Sequence, residues 1–136
     1  MTTWMTPYLQ FPGTAREAMT FYHSVFGGHL DLLTGAEFGI PDAGETIMHA
    51  HLTTDGGWSV LASDCDDTGG TGDGDPSRSL CIGSDVPSPV ALDWFAALAA
   101  GGGEVLIPLE EQAWGSVYGQ VRDRFGIRWM FNLAAG

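Results

Sequence analysis

His49 and His51 are the residues of this chain best placed to do chemistry. They stand two apart in Ile47-Met48-His49-Ala50-His51-Leu52, inside an apolar run. On a strand, side chains alternate between faces, so the two imidazoles point one way and Met48, Ala50 and Leu52 the other. Those three suit contact with a covering helix, which leaves the histidines facing a cavity. Four chemistries fit such a pair: a metal site, an acid–base pair, hydrogen bonding to a ligand, or plain structural packing. Strand neighbours two apart have Cβ atoms roughly 6.5 to 7 Å from one another. Two imidazoles at that spacing can converge on one ion, but a third donor must come from elsewhere. His29, Glu37, Glu45 and Asp64 are the nearby candidates.

Other groups are weaker signals. Asp64, Asp66, Thr68, Gly69 and Asp75 follow part of the spacing of a calcium-binding loop, but the twelfth position is Asp instead of Glu and flanking helices are missing. A solvated acidic loop is the simpler expectation. Cys65 and Cys81 are the two thiols, expected reduced and without a sign of activation. Five tryptophans are many for 136 residues. Trp94 belongs to a helical stripe, while Trp114 in a loop and Trp129 in the last strand are candidates to wall a small-molecule pocket. Asn132 alternates with Trp129 and Phe131, so only one of those two sets can line it.

The elements that carry these residues follow from periodicity and turn chemistry. Residues 8–11 read as a strand, stopped by Pro12-Gly13. Thr14 and Glu17 have capping-box spacing, and Ala15, Ala18, Met19, Tyr22, Val25 and Phe26 form a helical stripe ended by Gly27-Gly28. Strands follow over 29–33, 46–53 and 58–63, the last two joined by the Asp55-Gly56-Gly57 turn. The Gly- and Asp-rich stretch 64–77 reads as a linker. The order then repeats: strand 79–83, a helix over 87–100 with Val90, Leu92, Trp94, Phe95 and Leu98 apolar, and strands at 104–107, 117–121 and 127–133. Ala18-Met19-Thr20-Phe21-Tyr22 before Gly27-Gly28 parallels Ala91-Leu92-Asp93-Trp94-Phe95 before Gly102-Gly103. The chain is therefore an internal duplication of about 70 residues, a single α+β domain of two βαβββ modules, 4–63 and 78–134, whose curved mixed sheets enclose a pocket.

This arrangement resembles the vicinal oxygen chelate superfamily of glyoxalases, extradiol dioxygenases and bleomycin-resistance proteins, and within it the PhnB-like branch. The motifs are Tyr8-Leu9-Gln10-Phe11-Pro12-Gly13, residues 17–28, residues 47–52, Asp64, and above all Trp114 through Asn132. The resemblance implies that a metal enzyme of the superfamily would take His and Glu ligands from the first and last strands of each module. Those positions fall here at Pro7 or Tyr8, near Ala62, at Ser79 or Leu80, and at Met130. None is His, Glu or Asp, and a catalytic ion wants about three protein ligands. Labels that tie the branch to a ubiquinone methyltransferase find no glycine-rich nucleotide loop after a strand.

Composition bounds partners. Seventeen acids face five bases, all Arg, giving a formal charge of −12. Such a chain repels nucleic acid and anionic membranes and favours a cation if acids gather at a pocket. No stretch spans a bilayer or reads as a signal peptide, so a cytoplasmic protein is expected. The expectation is a metal-free binding protein of the bleomycin-resistance type, a homodimer that holds or sequesters a hydrophobic, aromatic or cationic small molecule through Tyr8, His49, His51, Trp114 and Trp129. Two alternatives stay open. One is a lyase, isomerase or dioxygenase using one divalent ion on His49 and His51. The other is a cofactor-free enzyme with His49 as general base.

Overall fold

The computed structural model describes residues 3–37, 39–40, 42, 44–65 and 78–135. The calcium-like spacing at Asp66, Thr68, Gly69 and Asp75, and most of the 64–77 linker, lie outside those residues. The chain divides into two compact units, Met1–Gly69 and Gly70–Gly136.

The first unit runs β1 (Tyr8–Phe11), α1 (Ala15–Phe26), β2 (His29–Thr34), β3 (Ile47–Thr53) and β4 (Ser59–Asp64). Its sheet has the order β1-β4-β3-β2, with β1 parallel to β4 and the other pairs antiparallel. The second unit repeats this with β5 (Ser79–Ser84), α2 (Pro89–Ala100), β6 (Glu104–Glu111), β7 (Ser116–Arg122) and β8 (Arg128–Ala134), in the order β5-β8-β7-β6. The duplication expected from the sequence is the architecture: two βαβββ units, each a four-stranded mixed sheet with one helix on one face.

In the first unit α1 buries Ala15, Ala18, Met19, Tyr22 and Phe26 against Leu9, Phe11, Ala50, Leu52, Val60 and Ala62. The expected capping box does not form. Thr14 makes no side-chain bond to the helix start. The carboxylate of Asp64, at the end of β4, does that work from a distance: Oδ1 accepts from Ala15 N–H at 2.8 Å and Oδ2 from Ile47 N–H at 2.9 Å. An anion at a helix N-terminus satisfies an orphan donor and the helix dipole together. At the other end Gly28 has φ +95°, and a Cβ there would lie 1.9 Å from the Thr53 carbonyl oxygen. Only glycine fits that close approach of α1 to β3.

In the second unit Ser88 is the N-cap, its hydroxyl accepting from Ala91 N–H at 3.3 Å, with Pro89 at the first helical position. The helix therefore starts two residues later than expected. Its buried face is Ala91, Phe95 and Leu98, and Val90 and Leu92 are exposed. Because α2 is apolar nearly all round, composition does not mark which stripe packs inward. Phe95 meets Phe131 edge to face at 5.3 Å, which fixes the helix side of β8.

Candidate functional site

Register decides which side chains share the helix-free face of each sheet. In the first unit Tyr8 pairs with Leu61, Leu61 lies opposite His51, and His51 lies opposite Asp31. One row across the sheet thus reads Tyr8, Leu61, His51, Asp31. His49 is on the same face, opposite Leu33. Met48, Ala50 and Leu52 alternate to the helix side, as the sequence predicts. Both histidines are half-buried. The Nε2 of His51 is 3.4 Å from Thr53 Oγ1, a weak contact that leaves the ring able to meet a ligand.

The four candidate third donors do not join them. His29 bonds Asp31 at 2.9 Å, Glu45 pairs with Arg16 at 3.2 Å, and Asp64 is held on two backbone N–H groups on the helix side. Glu37 accepts from the Thr34 hydroxyl and amide, and those two bonds hold its carboxyl below the usual carboxylate range. Among the described residues no three of His, Cys, Asp and Glu are grouped to hold an ion. Ala62 is fully buried under α1, so the residues of β4 that alternate to the helix-free face are Leu61 and Ser63. In β5 the matching residue is Cys81, opposite Met130. Among the described residues the strand positions at which the superfamily would take His or Glu ligands hold neither.

The second unit carries the richer face. Gln120 Nε2 donates to Tyr118 Oη at 2.8 Å, which places both on one face of β7. Tyr118 lies opposite Asn132, Gln120 opposite Met130, and Arg122 opposite Arg128. Trp114, in the β6–β7 turn and 66% exposed, meets the Tyr118 ring edge-on at 6.0 Å. An aromatic pair, a Gln120–Tyr118 hydrogen bond, the Asn132 amide and two guanidinium groups thus occupy one face of this sheet.

Trp129 is not part of it. The structure corrects the expectation that it lines the ligand face: it is 1% exposed, beneath α2, and its indole N–H donates to Asp123 Oδ2 at 2.8 Å. Asp123 Oδ1 also accepts from Phe125 N–H at 2.8 Å and Ile127 N–H at 3.1 Å. This buried carboxylate ties the β7–β8 turn to the core. Asn132 is the exposed member of the alternation. Sequence reasoning passes over Tyr118, Gln120, Arg122 and Arg128, although the alternation of Ser116, Tyr118, Gln120 and Arg122 with Val117, Gly119 and Val121 marks the first three. Cys65 and Cys81 are both free thiols. A separate hollow of about 140 Å³ opens on the helix side between Pro87, Pro89, Leu92, Val117 and Leu133. It is smaller than the ~300 Å³ at which drug-sized pockets begin.

Comparison with known proteins decides the family. The profile described as 3-demethylubiquinone-9 3-methyltransferase matches residues 3–131. The chain belongs to that family. It is the PhnB-like branch of the vicinal oxygen chelate superfamily. The PhnB-like chain is similar to protein PA1353 of Pseudomonas aeruginosa, with 33% identity, 98% of both chains covered and a TM-score of 0.79. It is also similar to a Bacillus cereus protein described as PhnB and as a putative 3-demethylubiquinone-9 3-methyltransferase, at 28% identity over 97% of this chain and 100% of that one, TM-score 0.74. A glyoxylase/bleomycin resistance protein/dioxygenase domain from Frankia shares the fold, with TM-score 0.69 at 19% identity and 99% coverage of each chain. Among the described residues no helix is long and apolar enough to cross a membrane.

Proposed function

We propose that this PhnB-like protein binds or sequesters a small, partly aromatic molecule without a metal ion, in the manner of a bleomycin-resistance protein. The carrying observation is the helix-free face of the second unit, where the Trp114–Tyr118 pair adjoins Gln120, Met130 and Asn132. Ligand sites combine apolar and aromatic walls with a few placed polar groups, and this surface has that make-up. Tyr8, His49 and His51 on the first sheet offer a second set of such contacts. The acidic balance of the chain does not by itself select a cation, because this face also carries Arg122 and Arg128. The protein is further proposed to act as a homodimer, which light scattering of the purified chain tests.

One observation favours a second reading, a metal-dependent lyase, isomerase or dioxygenase: His49 and His51 do share a face. Methyl transfer, the chemistry in the family's description, has less support. The strand-to-helix connections Pro12-Gly13-Thr14 and 85–88 are short and hold a single glycine between them, which is not a nucleotide-cradling loop. The test joins metal analysis of untagged protein and of a His49→Ala/His51→Ala variant to a fluorescence titration with planar aromatic compounds. Quenching that is lost in Trp114→Ala while both proteins stay metal-free supports binding. Stoichiometric metal that disappears with the histidines overturns it in favour of the enzyme. Transfer of labelled methyl from S-adenosylmethionine to an acceptor would overturn both.

A further inference from the structure

Arg128 is the unexplained charge of the second unit. Its Nε is shielded from solvent and has no hydrogen-bond partner among the described residues. A polar atom taken out of water is nearly always paired, because the lost hydration must be replaced. Arg128 also lies directly opposite Arg122 across the β7–β8 ladder. Cβ atoms of such a pair are on the order of 5 Å apart, and like charges there repel. Arg122 is compensated by an ion pair with Glu104. Among the described residues Arg128 has no carboxylate within ion-pair distance. Acid is not scarce, since seventeen carboxylates serve five arginines. Among the described residues none of them answers this base.

We infer that Arg128, with Arg122 beside it, is the anion-binding end of the second unit's helix-free face, and that the ligand carries a carboxylate, phosphate or sulfonate on an aromatic body. This rests on reading that face as the ligand-binding wall. A guanidinium fork presents two parallel N–H groups to two oxygens of an oxyanion, the geometry that an ammonium lacks. The neighbouring residues suit the rest of such a molecule. Ser79 flanks Arg128 on the β5 side, and the next row along the strands holds Cys81, Met130 and Gln120. Asn132 and Tyr118 follow, with Trp114 beyond. From Arg128 to Asn132 is four residues of strand, about 13 Å at ~3.3 Å per residue. An oxyanion at the arginines thus places a two- or three-ring body along Met130 toward Tyr118. Against a net charge of −12, and with Arg122 already paired to Glu104, Arg128 is the base on this face that would draw an anion.

The test uses two fluorescent probes with the same aromatic skeleton. 8-Anilinonaphthalene-1-sulfonate carries the anion, and N-phenyl-1-naphthylamine lacks it. Wild-type protein is expected to prefer the sulfonate. Arg128→Gln should weaken the sulfonate roughly 10- to 100-fold, the worth of a charge-assisted pair, and change the neutral probe by less than about 2-fold. Arg128→Lys should fall between, since an ammonium keeps charge but not the fork. If Arg128→Gln does not fold by circular dichroism, Arg128→Lys and Arg122→Gln carry the comparison. A folded Arg128→Gln that binds the sulfonate as wild type does overturns the proposal. So does a wild type with no preference for the sulfonate; neutral-probe binding would then leave the binding wall standing without its anion end. Failure of both probes overturns both readings.

Discussion

Replacing Asp123 with Asn should be among the most damaging single-atom changes this chain can suffer. The side chain is 3% exposed and accepts from Phe125 N–H, Ile127 N–H and the Trp129 indole. Asn keeps the shape and one acceptor oxygen, which can still serve the two turn amides. The other position becomes an NH₂ group facing the indole N–H, donor against donor. A hydrogen bond to a charged group contributes about 1.5–3 kcal/mol, and leaving a buried donor unsatisfied costs about 1–3 kcal/mol. The expected loss is about 2–4 kcal/mol, or roughly 8–15 °C in Tm for a chain of this size. Urea unfolding followed by far-UV circular dichroism measures it. The mechanism has a sharper signature in a double-mutant cycle with Trp129→Phe. In wild type that change strands the Oδ2 acceptor; in the Asp123→Asn background it removes the donor–donor clash instead. The two substitutions should therefore couple by about 1–3 kcal/mol, with the double mutant more stable than the sum predicts. Additivity within about 0.5 kcal/mol, or an Asp123→Asn variant as stable as wild type, would refute the reasoning.

Asp64→Ala should cost about 2–3 kcal/mol by orphaning Ala15 N–H and Ile47 N–H, and hydrogen exchange should show the first turn of α1 opening first. Gly28→Ala should abolish the native first unit or destabilise it by more than ~3 kcal/mol, because the added Cβ meets a backbone oxygen that cannot yield; thermal melts read this directly. Glu37 has its acidity raised chiefly by the Thr34 amide and hydroxyl. A carboxyl with a lowered folded-state pKa stabilises above its unfolded pKa and loses that contribution as pH falls through the folded value. Side-chain NMR titration should show Glu37 titrating below the usual carboxylate range, and Thr34→Val, which keeps the amide bond but removes the hydroxyl bond, should bring it part of the way back.

The duplication is legible in the sequence because helical and strand periods alternate twice with glycine stops between them, and nearly every element begins within two residues of its expected place. Period-two alternation also gives the direction of His49 and His51 correctly. The departures have physical sources. Thr14 and Glu17 have the spacing of a local cap, but Asp64, 49 residues away in sequence, supplies the acceptor, and long-range caps leave no local pattern. α2 is too uniformly apolar for its sequence to choose a face. Trp129 suits wall and core equally by type; what decides is Asp123, six residues before it, with its carboxylate in the core. The arginine pair escapes a reading of charge as a total, because it shows only when charge is followed along each strand.

The parallel pairing of the first strand of each unit with its last has a consequence for how the chain is made. Tyr8 must find Leu61, and Cys81 must find Met130, so each sheet closes over about fifty intervening residues. On a ribosome adding ~5–20 residues per second, β1 leaves the tunnel roughly 3–10 s before its partner does. During that interval Leu9 and Phe11 have no ladder to join. The hairpin of β3 and β4, local in sequence, is free to form at once, and β1 then completes the edge of a sheet already standing. All strand partners of the first unit lie within residues 8–64, so its backbone ladder can be complete while the second unit is still unmade. An ancestral duplication thus survives as a timetable, two slow closures in succession in place of one slower search.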